Sequence, residues 1–143
     1  MNKKISLAII VLILLIAGFF YWQANNSQPK NDQTDKGKLI EIFYLPHPPA
    51  LAIVDKVEPI IAEFPNFKVI KYNFDDPASK DKVAEYNLVN HTPVAIFIGG
   101  KNSFTIDGKT VSLLNFPQGD SFIPSFEGGW TYKDLKNILN SLK

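Results

Sequence analysis

The 143-residue chain contains no cysteine, no arginine and one methionine, Met1. Without cysteine there is no disulfide framework, thiolate zinc site, S-acylation or lipidated cysteine within these residues. Thiol–disulfide exchange is excluded too, because a thiolate must attack the disulfide. Compartment is left open, since oxidising and reducing environments both host cysteine-free proteins. Net charge is only +1, and no long basic run is present. A dedicated nucleic-acid surface, which needs a clustered basic patch, is therefore not expected. Gly-rich phosphate loops, serine-nucleophile elbows and zinc-protease helix signatures are also missing. Histidine occurs twice, as His47 and His91.

Charge is absent over one long stretch, between Lys4 and Lys30. Within it, Ile5 to Trp22 is an apolar run interrupted only by Ser6. About 18 residues at ~1.5 Å rise reach roughly 27 Å, the span of a bilayer core. Phe19, Phe20, Tyr21 and Trp22 crowd its far end, where aromatic rings favour the lipid–water boundary. Lys3 and Lys4 favour a cytoplasmic amino terminus. Residues 1–22 are thus expected to be a single-pass anchor at the cell membrane, with the rest extracytoplasmic. The alternative is a cleaved signal peptide and a secreted domain. Small residues for cleavage come only at Ala24 and Ser27, after the bulky aromatics. Residues 23–38, QANNSQPKNDQTDKGK, are polar and lack any apolar period, the composition of a flexible linker.

Residues 39–143 have the composition and length of one globular domain. LIEIFYL, Leu39 to Leu45, is the β-rich run of a buried central strand. Pro46-His47-Pro48-Pro49 ends it. A helix is expected from near Pro49, burying Ile53, Val57, Ile60, Ile61 and Phe64, with Pro59 kinking or shortening it. Lys68 to Phe74 predicts a second strand. Asp76 is a candidate N-cap with Pro77 at the first helical position, opening a helix toward Val89. Val94 to Ile98 predicts a third strand. Gly99-Gly100 and Asp107-Gly108 are hairpin-turn signals bracketing strands near Ser103–Ile106 and Lys109–Leu114. The last helix is expected from Tyr132 to Leu142, capped by Thr131 with Asp134 three residues on. Its inward residues are Tyr132, Leu135, Ile138, Leu139 and Leu142.

The order of these elements, with VIKYNFDDPASKDKVAEYNLVNHTPVAIFI at the centre, resembles the thioredoxin superfamily. FEGGW followed by TYKDLKNIL is similar to that family's final strand, glycine and last helix. The resemblance covers Leu39 to Leu142. It implies an α/β fold, a thioredoxin-like three-layer sandwich with a central mixed sheet, and a cis bond between Thr92 and Pro93. The sequence departs from the family in having no cysteine pair and in the extra residues between Ile98 and Phe126.

In the position of the family's Cys-x-x-Cys stand His47-Pro48-Pro49-Ala50 or, in the alternative register, Pro48-Pro49-Ala50-Leu51. Ile42 occupies the place of the acidic residue that assists proton transfer, and the neighbouring Glu41 points to the opposite strand face. What the resemblance implies is therefore a redox-inactive module binding a protein or extended peptide. The expected surface is Pro46, His47, Pro48 and Pro49 facing His91, Thr92 and Pro93, with strand addition at the Thr92 backbone. No cofactor, catalytic residue or metal is expected. The alternative is an enzyme or metal-binding protein using His47 and His91 in place of thiols. Phe97, Phe104, Phe116, Phe122, Phe126 and Trp130 are expected mostly in core or hairpin packing; the alternative is that Phe116-Pro117 and Phe122-Ile123-Pro124 form an exposed apolar patch for a partner.

Overall fold

In the computed structural model, residues 36–88, 92–121 and 123–143 are described. The expected anchor, and the expected linker up to residue 35, lie outside them. Lys36–Lys38, the last residues of that linker, form a 3-10 turn leading into the first strand. Among the described residues no helix is long and apolar enough to cross a membrane.

Strand β1 (Leu39–Tyr44) is the centre of the fold. It pairs in parallel with β2 (Lys68–Asn73) and antiparallel with β3 (Val94–Ile98), giving a mixed sheet in the order β2-β1-β3. Being central, β1 is buried on both faces, and the period of two divides its residues. Ile40 and Ile42 share one face with Val94, Ile96 and Ile98, their register partners or neighbours. Phe43 shares the other with Ala95 and Phe97. The chain is thus a mixed α/β protein with a mixed sheet.

The aliphatic face is covered by α1 (Pro48–Ala62) and by a helix at the carboxyl end. His47, in extended conformation, precedes α1, and Pro48 and Pro49 fill its first turn. Proline suits that place because the N–H it lacks has no partner there anyway. Ala50, Ile53, Val54, Val57 and Ile61 are buried at helical spacing, while Ile60 is half-buried. Pro59 sits inside α1 without ending it; three more residues follow in helical conformation.

After β2, Asp76 Oδ1 accepts the Ala78 N–H at 2.9 Å and opens a 3-10 turn, Pro77–Ser79. The following helix, α2 (Lys80–Glu85), is shorter than the expected helix to Val89. Asn87 turns left-handed (φ 50°), and the Leu88 N–H reaches back to the Val83 carbonyl at 3.1 Å. That is a Schellman-type stop, for which asparagine substitutes for glycine. Val83, Tyr86 and Leu88 pack on the Phe43 face.

β3 turns through Gly99 and Gly100, both at positive φ, into β4 (Ser103–Ile106). β4 pairs with β5 (Lys109–Ser112) across Asp107-Gly108. The strand expected to Leu114 changes partner after Ser112. The Ile96 N–H donates to the Leu113 carbonyl (2.9 Å) and the Asn115 N–H to that of Val94 (2.8 Å), so residues 113–115 run along the outer edge of β3.

The final strand expected in FEGGW is reduced to a bridge between Phe116 and Glu127. A Cβ on Gly128 would stand 2.2 Å from the Leu114 carbonyl oxygen, so backbone packs on backbone there. Trp130 is fully buried, its indole N–H 3.2 Å from the Leu114 and Asn115 carbonyls. Helix α3 (Tyr132–Ser141) carries the expected capping box: the Thr131 hydroxyl accepts the Asp134 N–H and the Asp134 carboxylate accepts the Thr131 N–H. Leu135, Ile138 and Leu139 are buried, whereas Leu142, expected inside, is exposed past the helix end.

Candidate functional site

The loop after β1 and the start of β3 come together at one end of the sheet. The Leu45 N–H donates to the Pro93 carbonyl at 3.0 Å, closing Pro46–Pro49 against Pro93. Between them lies an apolar depression of about 190 Å³, lined by Leu45, His47, Pro49, Pro93, Phe116, Ile123 and Phe126 among others. Two surfaces that the sequence presents as separate, the proline loop and the Phe116–Phe126 segment, therefore share one hollow.

Of the expected site residues, Pro46, His47, Pro48, Pro49, Thr92 and Pro93 are described. Pro46 and Pro49 are half-buried, while His47 and Pro48 are exposed. The His47 ring makes no capping bond at the start of α1, and its carbonyl accepts the Leu51 N–H at 3.0 Å. Thr92 and Pro93 are buried. His91 and Phe122 lie outside the described residues. The expected cis bond is corrected: no peptide bond among the described residues is cis, so Thr92–Pro93 is trans. Trans is the lower-energy isomer of an X–Pro bond, and the Pro93 carbonyl already meets Leu45 in that form. Thr92, the residue expected to offer its backbone for strand addition, is 9% exposed.

Phe116 packs in the core as expected, and the alternative of an exposed patch at Phe116-Pro117 is not met. Both residues are buried, Phe116 within the main core, whereas Ile123 (38% exposed) and Pro124 meet solvent. The segment carrying Ile123 is tied down by Asp120. Its carboxylate accepts the Tyr132 hydroxyl and, at 2.9 Å, the Lys56 ammonium, from α3 and α1 respectively. Those two contacts hold the Asp120 carboxyl below its usual range, the tyrosine first and the lysine second. One wall of the depression is thus fixed to both helices of the aliphatic face.

Ile42 is fully buried on the aliphatic face. Its neighbour Glu41 faces the other way, as strand alternation requires, and is only 2% exposed. The Tyr86 hydroxyl donates to Glu41 Oε2, and Lys82 Nζ is 4.0 Å from Oε1. Tyr86 is pushed far above the ordinary tyrosine range, by burial first and then by Glu41. A glutamate in the middle of a central strand is a readable signal, because charged residues are almost never buried unpaired. Its significance is missed when only the proline loops are searched. Among the described residues no group of three or more His, Asp or Glu is placed to hold a metal ion.

Comparison with protein-family models, with curated proteins and with solved structures finds no match.

Proposed function

We propose that the chain is a membrane-tethered, redox-inactive thioredoxin-like module that binds a protein or extended peptide on the extracytoplasmic side. The fold part of this reading is supported by the strand order β2-β1-β3, with β3 antiparallel and residues 113–115 along its outer edge. Helices packed on both faces of the sheet support the three-layer arrangement expected from the sequence resemblance. Redox inactivity follows from the absence of sulfur nucleophiles in these residues. The tether rests on the apolar run from Ile5 to Trp22 and its lysine flank.

One observation carries the binding role: the apolar depression between the proline loop, Pro93 and Ile123. At about 190 Å³ it is smaller than the roughly 300–1,000 Å³ of typical small-molecule pockets. It suits an apolar side chain offered by an extended segment. Prolines on both sides reduce the conformational entropy lost when such a segment docks.

Selection of a displayed peptide library against the full chain in lipid nanodiscs tests this. Enriched peptides carry an apolar or aromatic anchor, and His47→Ala together with Ile123→Asp weakens them at least about tenfold. Failure to enrich any peptide, or equal affinity for the double variant, removes the binding role from this end of the sheet. Amino-terminal sequencing of the mature protein tests the tether; a start near Asn25 or Ser27 replaces the anchor with a secreted domain.

A further inference from the structure

All three strands of the main sheet carry a lysine at the same end, the end far from Pro93. Lys68 opens β2, Lys38 immediately precedes β1, and Lys101 follows β3 after the Gly99–Gly100 turn. The register brings them together. Leu39 pairs with Lys68, the Gly99 N–H donates to the Leu39 carbonyl at 2.8 Å, and Lys101 bridges Ile98. We propose that this end of the domain is a docking surface for a lipid bilayer carrying anionic headgroups. The proposal rests on the tether reading for bringing a bilayer to this end, whereas the lysine row itself does not depend on it.

Charge is the first argument. Lys38, Lys68 and Lys101 are exposed, and none forms an ion pair among the described residues. The acids toward this end are matched or covered. Glu58 pairs with Lys71, Glu63 with Lys136 at 2.7 Å and Glu85 with Lys82 at 2.8 Å. Glu41 is only 2% exposed and bonds Tyr86. The β4–β5 turn adds one charge of each sign, Asp107 and Lys109. At the other end of the same strands no lysine ends a strand, and exposed Asp75 and Asp76 follow β2. Lysine on an edge strand such as β2 also discourages edge-to-edge pairing. That explanation does not reach Lys38, before the central strand, or Lys101, in a turn.

Two further observations fit a bilayer. Beside the lysine row lies an apolar hollow of about 320 Å³, lined by Ile61, Phe64, Pro65, Phe67 and Val69 among others. Val69, next to Lys68, is 40% exposed. Ammonium groups beside an apolar opening match the layering of a membrane surface, with charge at the headgroups and hydrocarbon beneath. The chain also enters the domain here, because the turn Lys36–Lys38 runs directly into β1. Residues 23–35 alone separate that turn from the apolar run, and a flexible segment of that length spans about 20 Å. So short a connection gives headgroups a high effective concentration at this end, and a few lysines then suffice to dock it.

The test uses the full chain in nanodiscs of phosphatidylcholine, with or without about one third phosphatidylglycerol, each doped with a gadolinium-chelating lipid. Amide broadening by gadolinium reports which residues approach the headgroups. Amides of Lys38, Lys68 and Gly100 should broaden at least about threefold more in the anionic discs, while those of Gly119 and Ile123 stay unchanged. Salt at about 1 M, where the Debye length is roughly 3 Å, should remove the difference. Lys38→Gln, Lys68→Gln and Lys101→Gln together should reduce the docked population at least about tenfold, and arginine at the same three positions should preserve it. All three side chains are exposed, so these variants keep the fold. A chain retained by anionic discs alone upholds the docking surface and removes the anchor, whereas a chain retained by neither disc overturns both. Equal broadening in the two discs, broadening spread evenly over the domain, or docking kept in the glutamine variant overturns lipid docking and leaves the lysine row to an acidic protein.

Discussion

The two faces of β1 are one residue apart and chemically unlike. Ile40 and Ile42 look onto α1 and α3 through a mainly aliphatic layer, continued by Val94, Ile96 and Ile98 and edged by Phe64, Phe116 and Trp130. Glu41 and Phe43 look onto α2 through aromatic rings and a buried carboxylate. On that second face Phe43 stacks on Tyr72 at 4.8 Å and meets Tyr86 and Phe97 edge-on. The first face is held mainly by burial of apolar area, which is undirected. The second needs particular donors in particular places. Stability is therefore concentrated on one side of the sheet and directional polar chemistry on the other.

Substitutions on the two faces should differ accordingly. The largest effect is expected for Ile96→Ala, which opens a void in the aliphatic layer and should cost about 2–5 kcal/mol in denaturant unfolding. A cost under about 1 kcal/mol would mean that this layer is loosely packed. Tyr86→Phe removes one donor from Glu41 and should cost about 1.5–3 kcal/mol near neutral pH. The sign of its pH dependence is fixed. Burial first, then Glu41, raises the Tyr86 pKa, so its contribution is fully present below about pH 10 and fades as pH rises further. The gap between the native chain and the Phe variant should narrow in alkali. A constant gap would place the cost in packing instead of the hydroxyl.

The smallest effect belongs to neither face. Asp120→Asn frees the Ile123 segment from Tyr132 and Lys56 and should cost about 1 kcal/mol, since the carboxylate is a quarter exposed. Here the pKa is lowered, by the Tyr132 hydrogen bond first. The contribution is therefore present above about pH 4 and disappears as pH falls below it. The gap between thermal melts of the two chains should narrow as pH falls below about 4; a gap that stays constant would assign the loss to a cause other than the charge.

Most of the framework is legible because local chemistry and final structure agree. The alternation of LIEIFY, the Asp76-Pro77 cap, the two Gly-containing hairpin turns and the Thr131/Asp134 box all determine their elements within a few residues. What is not legible depends on contacts distant in sequence. α2 stops at Glu85 because Asn87 adopts a left-handed conformation that asparagine permits but does not require. The break after Ser112 reflects a switch of partner from β4 to β3, which no local pattern signals. The hollow is half-legible: the proline loop and Pro93 are found from their order in the chain. That Phe116, Ile123 and Phe126 join them follows from backbone packing at Gly128 and from the Asp120 tie to Tyr132. Glu41 shows the converse case. Its face is read correctly from the strand period, yet its burial and its Tyr86 partner depend on α2 docking from 45 residues away.

The most direct test of the binding role is the affinity of one selected peptide for the full chain in nanodiscs, measured for the native chain and for Ile123→Asp. Ile123 is exposed enough for the variant to fold, and its side chain borders the depression. The account predicts a loss of at least about tenfold in affinity with unchanged unfolding temperature. Unchanged affinity in a folded Ile123→Asp chain would contradict it and place the peptide elsewhere on the protein.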